Sequence, residues 1–169
     1  MPSPDQTQTL GEHMLLRLPA RRPEADQIRH AVFDFDGTLS LLRAGWQQIM
    51  ISYFDEVLTA TGADETPTDR RQLCIDFITR LTGRQTIYQC MELAQQVSIR
   101  GGDALAADEY KAEFLRRLHE HIDHRRTAIV SGQSPLPFLV SGTLELLDRL
   151  HEKGIVCYLA SGTDVDYVR

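Results

Sequence analysis

Asp34 and Asp36 are the residues whose types and spacing most directly suggest chemistry. They interrupt the apolar run His30-Ala31-Val32-Phe33-Asp34-Phe35-Asp36-Gly37-Thr38-Leu39. Alternate residues of a strand point to the same side, so the two acids share a side. Burying two like charges in an ordinary core strand costs free energy and gains nothing without a cation. The economical reading is a carboxylate pair at the carboxyl end of a central parallel strand, where open α/β sheets place their sites. Gly37 permits a tight departure from the strand, and Thr38 can hydrogen-bond the turn.

A hard cation relieves the repulsion between such acids. Magnesium suits them because it takes oxygen ligands and commonly joins a few carboxylates to a substrate phosphate. One carboxylate can then attack phosphorus in line while the other manages the proton of the leaving oxygen. A second apolar run, Ile155-Val156-Cys157-Tyr158-Leu159-Ala160, ends in Ser161-Gly162. The Ser161 hydroxyl can donate to a phosphate oxygen, and Gly162 lets backbone N–H groups approach closely. A Ser-Gly pair alone usually marks a turn, but its position after a buried-type strand ties it to the first motif.

The elements that must position these residues follow from periodicity. Residues 1–29 are rich in proline and read as an N-terminal arm, with a turn of helix around His13 to Leu18. Helical spacing recurs over about 40–60, Arg70 to Leu81, 85–99 and 104 to about 125. Four helices exceed what a simple crossover needs, and they predict a helical domain over the sheet edge where the acids emerge. A further helix, from about Ser141 to Lys153 and stopped by Gly154, leads into the second strand, which is predicted beside the first and buried on both faces.

Other reactive residue types have plainer explanations. Cys74, Cys90 and Cys157 match no zinc or redox spacing and read as reduced, buried thiols. His121 and His124 belong to a polar helix end without the spacing of a zinc protease. Trp46 reads as packing, and Arg43 as either a substrate or helix contact or a surface charge. The 169-residue chain carries 18 basic and 24 acidic side chains, a net charge of -6. That balance argues against a nucleic-acid partner held by counterion release. No apolar stretch suits a membrane span and Met1-Pro2-Ser3-Pro4-Asp5 lacks a secretory pattern, so the expected setting is cytoplasmic and away from membranes.

On Asp34-Phe35-Asp36-Gly37-Thr38-Leu39, and on Ser141-Gly142-Thr143-Leu144-Glu145-Leu146-Leu147-Asp148-Arg149-Leu150 leading through Gly154 to Ser161-Gly162, the sequence resembles the haloacid dehalogenase-like hydrolase superfamily. Its sugar-phosphatase and phosphomutase branch, with a helical cap, is the nearest pattern. The resemblance implies an α/β fold, with an incomplete Rossmann-like parallel-sheet core in 30–40 and 127–169 and an all-helical cap in 41–126. It also implies that Asp34 is the nucleophile forming an aspartyl-phosphate and Asp36 the general acid and base. Thr38, with Gly37, would support the turn, and Ser161 would bind phosphate. Magnesium would be held by the Asp34 side chain and the Asp36 backbone carbonyl.

The chain departs from that pattern after Ser161. A third motif with a basic residue and a fourth with metal-binding acids have no match, and by order along the chain neither Lys111 nor Lys153 replaces the basic residue. The expectation is therefore an N-terminal portion of a longer reading frame. The complete protein would be a magnesium-dependent phosphatase of a small phosphorylated metabolite, with a sugar phosphomutase or a non-catalytic interaction module as the alternatives.

Overall fold

Between the two acid- and serine-bearing segments, four amphipathic helices bury their apolar faces on one another. The structure, a computed structural model, describes residues 7–10, 14–17 and 27–161. Helix α1 is Trp46–Thr59, α2 Pro67–Arg80, α3 Thr86–Ile99 and α4 Ala107–Val130. Met50, Phe54 and Leu58 recur at intervals of four along α1, as do Tyr110, Phe114, Leu118 and Ile122 along α4, and all are buried. They meet Cys74, Phe77 and Ile78 of α2 and Cys90, Leu93 and Val97 of α3 in one core. Phe54 stacks on Phe77 with ring centroids 5.7 Å apart. The 3.6-residue period of apolar side chains is the cause of this packing.

The helix boundaries differ from the sequence reading in instructive ways. Helix α1 starts at Trp46, not near residue 40, because Leu41 and Leu42 lie in the turn that follows the acids. Helix α2 starts at Pro67, where the Thr66 hydroxyl accepts a hydrogen bond from the Asp69 amide at 3.1 Å. A threonine cap followed by a first-turn proline is a strong start signal that the surrounding polar residues obscured. Helix α4 begins where the Glu109 carboxylate accepts the Ala106 amide at 3.0 Å, and it runs on to Val130.

Strands β1 (Thr7–Leu10) and β2 (Met14–Arg17) pair antiparallel, with Thr7 opposite Arg17. The helical turn expected around His13 to Leu18 is therefore replaced by strand. A lone helical turn fixes several dihedrals for one hydrogen bond, whereas a hairpin pairs both segments. Strand β3 (His30–Phe33) pairs in parallel with β4 (Val156–Leu159), as expected. The Val156 amide donates to the Arg29 carbonyl at 2.9 Å.

Strand β4 is exposed along its whole length, and Cys157 with it, contrary to the expectation of a strand buried on both faces. Continuous apolarity makes a strand fit for burial, but burial needs layers on both faces. Among the described residues β4 has β3 alone as its neighbour. Cys74 and Cys90 are buried, and burial pushes both thiols up to about 12, which leaves them unreactive.

Helix α5 (Thr143–Glu152) precedes β4, and the chain is mixed α/β, mostly helical, with a small parallel sheet. The described residues form two compact units. One holds β1, β2, β3 and Leu144–Tyr158, and the other holds Asp34–Thr143 with residues 159–161. Among the described residues no helix is long and apolar enough to cross a membrane.

Phe54 is fully buried against Phe77, so Phe54→Ala should destabilise the helical unit by about 3–5 kcal/mol. Urea unfolding followed by circular dichroism measures this. A loss below about 1 kcal/mol would show that the core closes over the deletion.

Candidate functional site

The turn after β3 is built by a dense set of backbone hydrogen bonds. The amides of Thr38, Leu39 and Ser40 all donate to the Phe35 carbonyl, at 3.3, 3.0 and 2.9 Å. The Gly37 amide donates to the Ser40 carbonyl at 2.8 Å, and Gly37 has φ +81°, a conformation other residues adopt only with strain. The following residues are tied to a later segment. Leu41 donates to the Phe138 carbonyl at 2.7 Å, and Val140 donates to the Leu39 carbonyl at 3.0 Å. Ser40 is buried, and its hydroxyl accepts the Leu42 amide at 3.1 Å.

Helix α4 holds the far end of the same loop. Arg125 donates to the carbonyls of Leu42 at 2.8 Å and Ala44 at 2.9 Å. Gly45 has φ +96°, and a β-carbon there would stand 3.3 Å from His121 Nε2. A side chain at position 45 would meet both backbone strain and the histidine. His119, also on α4, has its imidazole shifted down by burial and by the nearby charges of Arg126 and Arg43.

Within this scaffold the expected residues converge. Asp34, Asp36 and Ser161 line one cavity of about 700 Å³. The Thr38 hydroxyl donates to Asp34 Oδ2 at 3.3 Å, and Gly37 makes the turn between the two acids and Thr38. Gly162 lies outside the described residues. Arg43 is a salt-bridge partner of Asp36, with its guanidinium 3.0 Å from Oδ2 and both side chains about four-fifths buried. Arg43 therefore lies in the cavity wall and not on the open surface.

Two cations that sequence order had set aside, or not considered, also line the cavity. Lys111 belongs to the face of α4 that presents Phe114, Leu115 and Leu118 to the same space. These positions fall at helical spacing, so a lysine within the apolar stripe was the available signal. Arg84 comes from the turn between α2 and α3, next to Thr82, Gly83 and Gln85. Gln89, also in the wall, is 3% exposed, and its amide nitrogen donates to the Leu81 carbonyl at 3.3 Å. That bond ties α3 to the start of the Arg84 turn. Trp46 packs against the helical core with one part and lines the cavity with another.

Asp34 and Asp36 are the carboxylate donors among the residues that line the cavity. Among the described residues no group of three or more acid, histidine or cysteine side chains gathers as a metal cage. A two-acid set suits magnesium, which keeps several waters and takes one or two carboxylates with substrate oxygens. Asp34 is the more exposed of the two acids. The Asp36 carboxylate is engaged by Arg43.

The loop carrying the acids depends on Arg125, so Arg125→Met should speed amide hydrogen exchange across residues 37–45 by about ten-fold or more, as expected when two charge-assisted bonds are lost. Mass-spectrometric exchange on the variant measures it. Identical exchange in both proteins would show that the loop stands without this clamp.

No protein-family model, curated protein or solved structure matches the chain.

Proposed function

We propose that the protein is a magnesium-dependent phosphohydrolase of a small phosphorylated metabolite that works through an aspartyl-phosphate on Asp34. The supporting observation is the meeting of Asp34, Asp36 and Ser161 in one cavity whose wall also carries Arg43, Arg84 and Lys111. Two acids together with three cations suit an anionic phosphoryl group better than a neutral substrate. In this reading β3, α5 and β4 belong to a Rossmann-like core, and α1–α4 form a helical cap domain.

The roles are those that the resemblance to haloacid dehalogenase-like hydrolases implies. Asp34 supplies the attacking oxygen, and Thr38 Oγ1, 3.3 Å from Oδ2, orients its carboxylate. Ser161 donates to a non-bridging phosphoryl oxygen. Asp36 protonates the leaving alcohol and then takes a proton from the water that attacks the phosphoryl aspartate. Arg43 holds the Asp36 side chain in place for both transfers. Magnesium, when bound, offsets the charge of the acids and the phosphoryl oxygens so that nucleophile and substrate can approach. Lys111, reaching the cavity from α4, offers a basic group at the site despite its place early in the chain.

The test separates the two acids. Asp34→Asn should abolish phosphomonoester turnover, because an amide is a poor nucleophile and a poor magnesium ligand. Asp36→Asn should still accept phosphate from an aryl ester, whose leaving group needs little protonation, and should then release it slowly. Rapid quench and peptide mass measurement should find the phosphoryl group on residue 34. Product isomers and free phosphate, measured together, distinguish hydrolysis from return of the phosphoryl group to a sugar. Turnover that survives exhaustive chelation, full activity of Asp34→Asn, or an adduct on another residue would overturn the assignment.

A further inference from the structure

A buried polar atom in the cavity wall is left over by the fold. Gln89, near the start of α3, is 3% exposed, and the two ends of its carboxamide are treated differently. The nitrogen donates to the Leu81 carbonyl at 3.3 Å. The oxygen, Oε1, is enclosed and has no hydrogen-bond partner among the described residues. Burying an amide oxygen without a donor costs free energy, so a glutamine at this place calls for an explanation. Packing alone would be served as well by a leucine or a methionine of similar size.

The surroundings of Gln89 narrow the kind of donor that would complete it. Gln89 lines the cavity that also takes in Asp34, Asp36 and Ser161, and its neighbours along the chain in that wall are Arg84, Gln85 and Thr86. The last torsion of a glutamine is soft and the bond to Leu81 is long, so a small turn of the carboxamide brings Oε1 to a donor that enters the cavity. Arg84 adds N–H donors from the α2–α3 turn, with its guanidinium 6.0 Å from the centre of the Tyr88 ring. No side chain caps the start of α3 at Gln85. Donors beside one buried acceptor match a group that both gives and takes a hydrogen bond. A hydroxyl does both, whereas an ionised carboxylate or phosphate only accepts and leaves Oε1 as it stands.

We infer that Gln89 is a specificity-determining residue: its Oε1 accepts from a hydroxyl on the part of the substrate that leaves as an alcohol, so hydroxylated phosphomonoesters are preferred to alkyl ones of the same length. This rests on the phosphohydrolase reading for the place of the phosphate, at Asp34 and Ser161, while the unpartnered oxygen is a feature of α3 alone. The cavity, at about 700 Å³, lies within the range that accommodates a whole small molecule in addition to the reacting group. A wall that would bury a bare polar atom rejects an analogue lacking the hydroxyl more strongly than an apolar wall does.

Two ligand pairs test the inference, glycerol 1-phosphate against n-propyl phosphate and ribitol 5-phosphate against n-pentyl phosphate, because each pair keeps the carbon count and changes only the hydroxyls. Calorimetric titration of the Asp34→Asn protein, which lacks the nucleophile, reads affinity without turnover. In at least one pair the hydroxylated member should bind about ten-fold more tightly, and adding Gln89→Leu should remove most of that preference while the alkyl ester keeps its affinity within about two-fold. The preference is a ratio within one protein, so general damage to the cavity cancels. Gln89→Met repeats the comparison with an unbranched side chain, and circular dichroism shows whether each variant is folded. Should both variants unfold, the side-chain amide resonance of Gln89 in isotope-labelled protein decides, since it should move with the hydroxylated ligand and not with the alkyl one. Equal affinity within both pairs, as expected where a water satisfies Oε1, a preference that persists without Gln89, or a resonance that responds alike to both ligands would overturn the role. Turnover of the four ligands by the unaltered protein with magnesium gives a separate readout. Selective binding without hydrolysis would leave Gln89 as the reader of the hydroxyl and remove the phosphohydrolase reading, whereas indiscriminate binding and hydrolysis would do the reverse.

Discussion

Two carboxylates that line one cavity, Asp34 and Asp36, call for countercharge, and the loop that follows them is built so as to hold it in place. Asp36 meets it directly through Arg43, at 3.0 Å and largely shielded from solvent. Arg43 lies on a loop that can hold it there only because its neighbours are fixed. The Leu42 and Ala44 carbonyls accept from Arg125 of α4, and Leu41 donates to Phe138. Position 45 must turn through a left-handed conformation beside His121 before α1 can begin. The ion pair thus depends on α4, and α4 depends on the core formed by Phe114, Leu118 and Ile122 with the other three helices. A buried pair of this kind is sensitive to loss of either member, because the remaining charge is left without its partner.

The helices were legible in the sequence because their stability comes from a periodic apolar face. Phe54, Phe77, Leu93 and Phe114 announce four packed helices without knowledge of how these meet. Their ends were less legible. Leu41 and Leu42 extend the apolar pattern of α1 backwards, yet the Phe35 carbonyl draws the chain into a turn first. Thr66 and Pro67 carry a clear start signal inside a run that resembles a loop. Strands β1 and β2 are too short for periodicity to separate strand from a helical turn. The apolar character of β4 says what the strand tolerates, and its exposure depends on neighbours that a local pattern does not contain.

The site shows the same division between local and spatial information. Asp34, Asp36, Gly37 and Thr38 are consecutive enough that strand alternation and turn chemistry predict their grouping. Ser161 could be joined to them because two parallel strands connected through a helix tend to be neighbours. Lys111 could not be found by order along the chain. It lines the same cavity through the fold of α4, fifty residues before Ser161, and its local sign is a cation set among Phe114, Leu115 and Leu118. Arg84 has a still weaker sign, since turns between helices commonly carry exposed arginines.

This arrangement separates the groups proposed to react from the residue proposed to select. Asp34 and Thr38 flank the turn after β3, which is set by backbone hydrogen bonds and the left-handed Gly37. Gln89 is set by helix packing, and it ties α3 to the Leu81 carbonyl just ahead of the Arg84 turn. A substitution at the cavity-facing start of α3 or in that turn can therefore alter which ligand is recognised without rebuilding the loop that carries the acids. Arg125 and His121 belong to the same helix as Lys111, and they contact or crowd the loop that follows the acids.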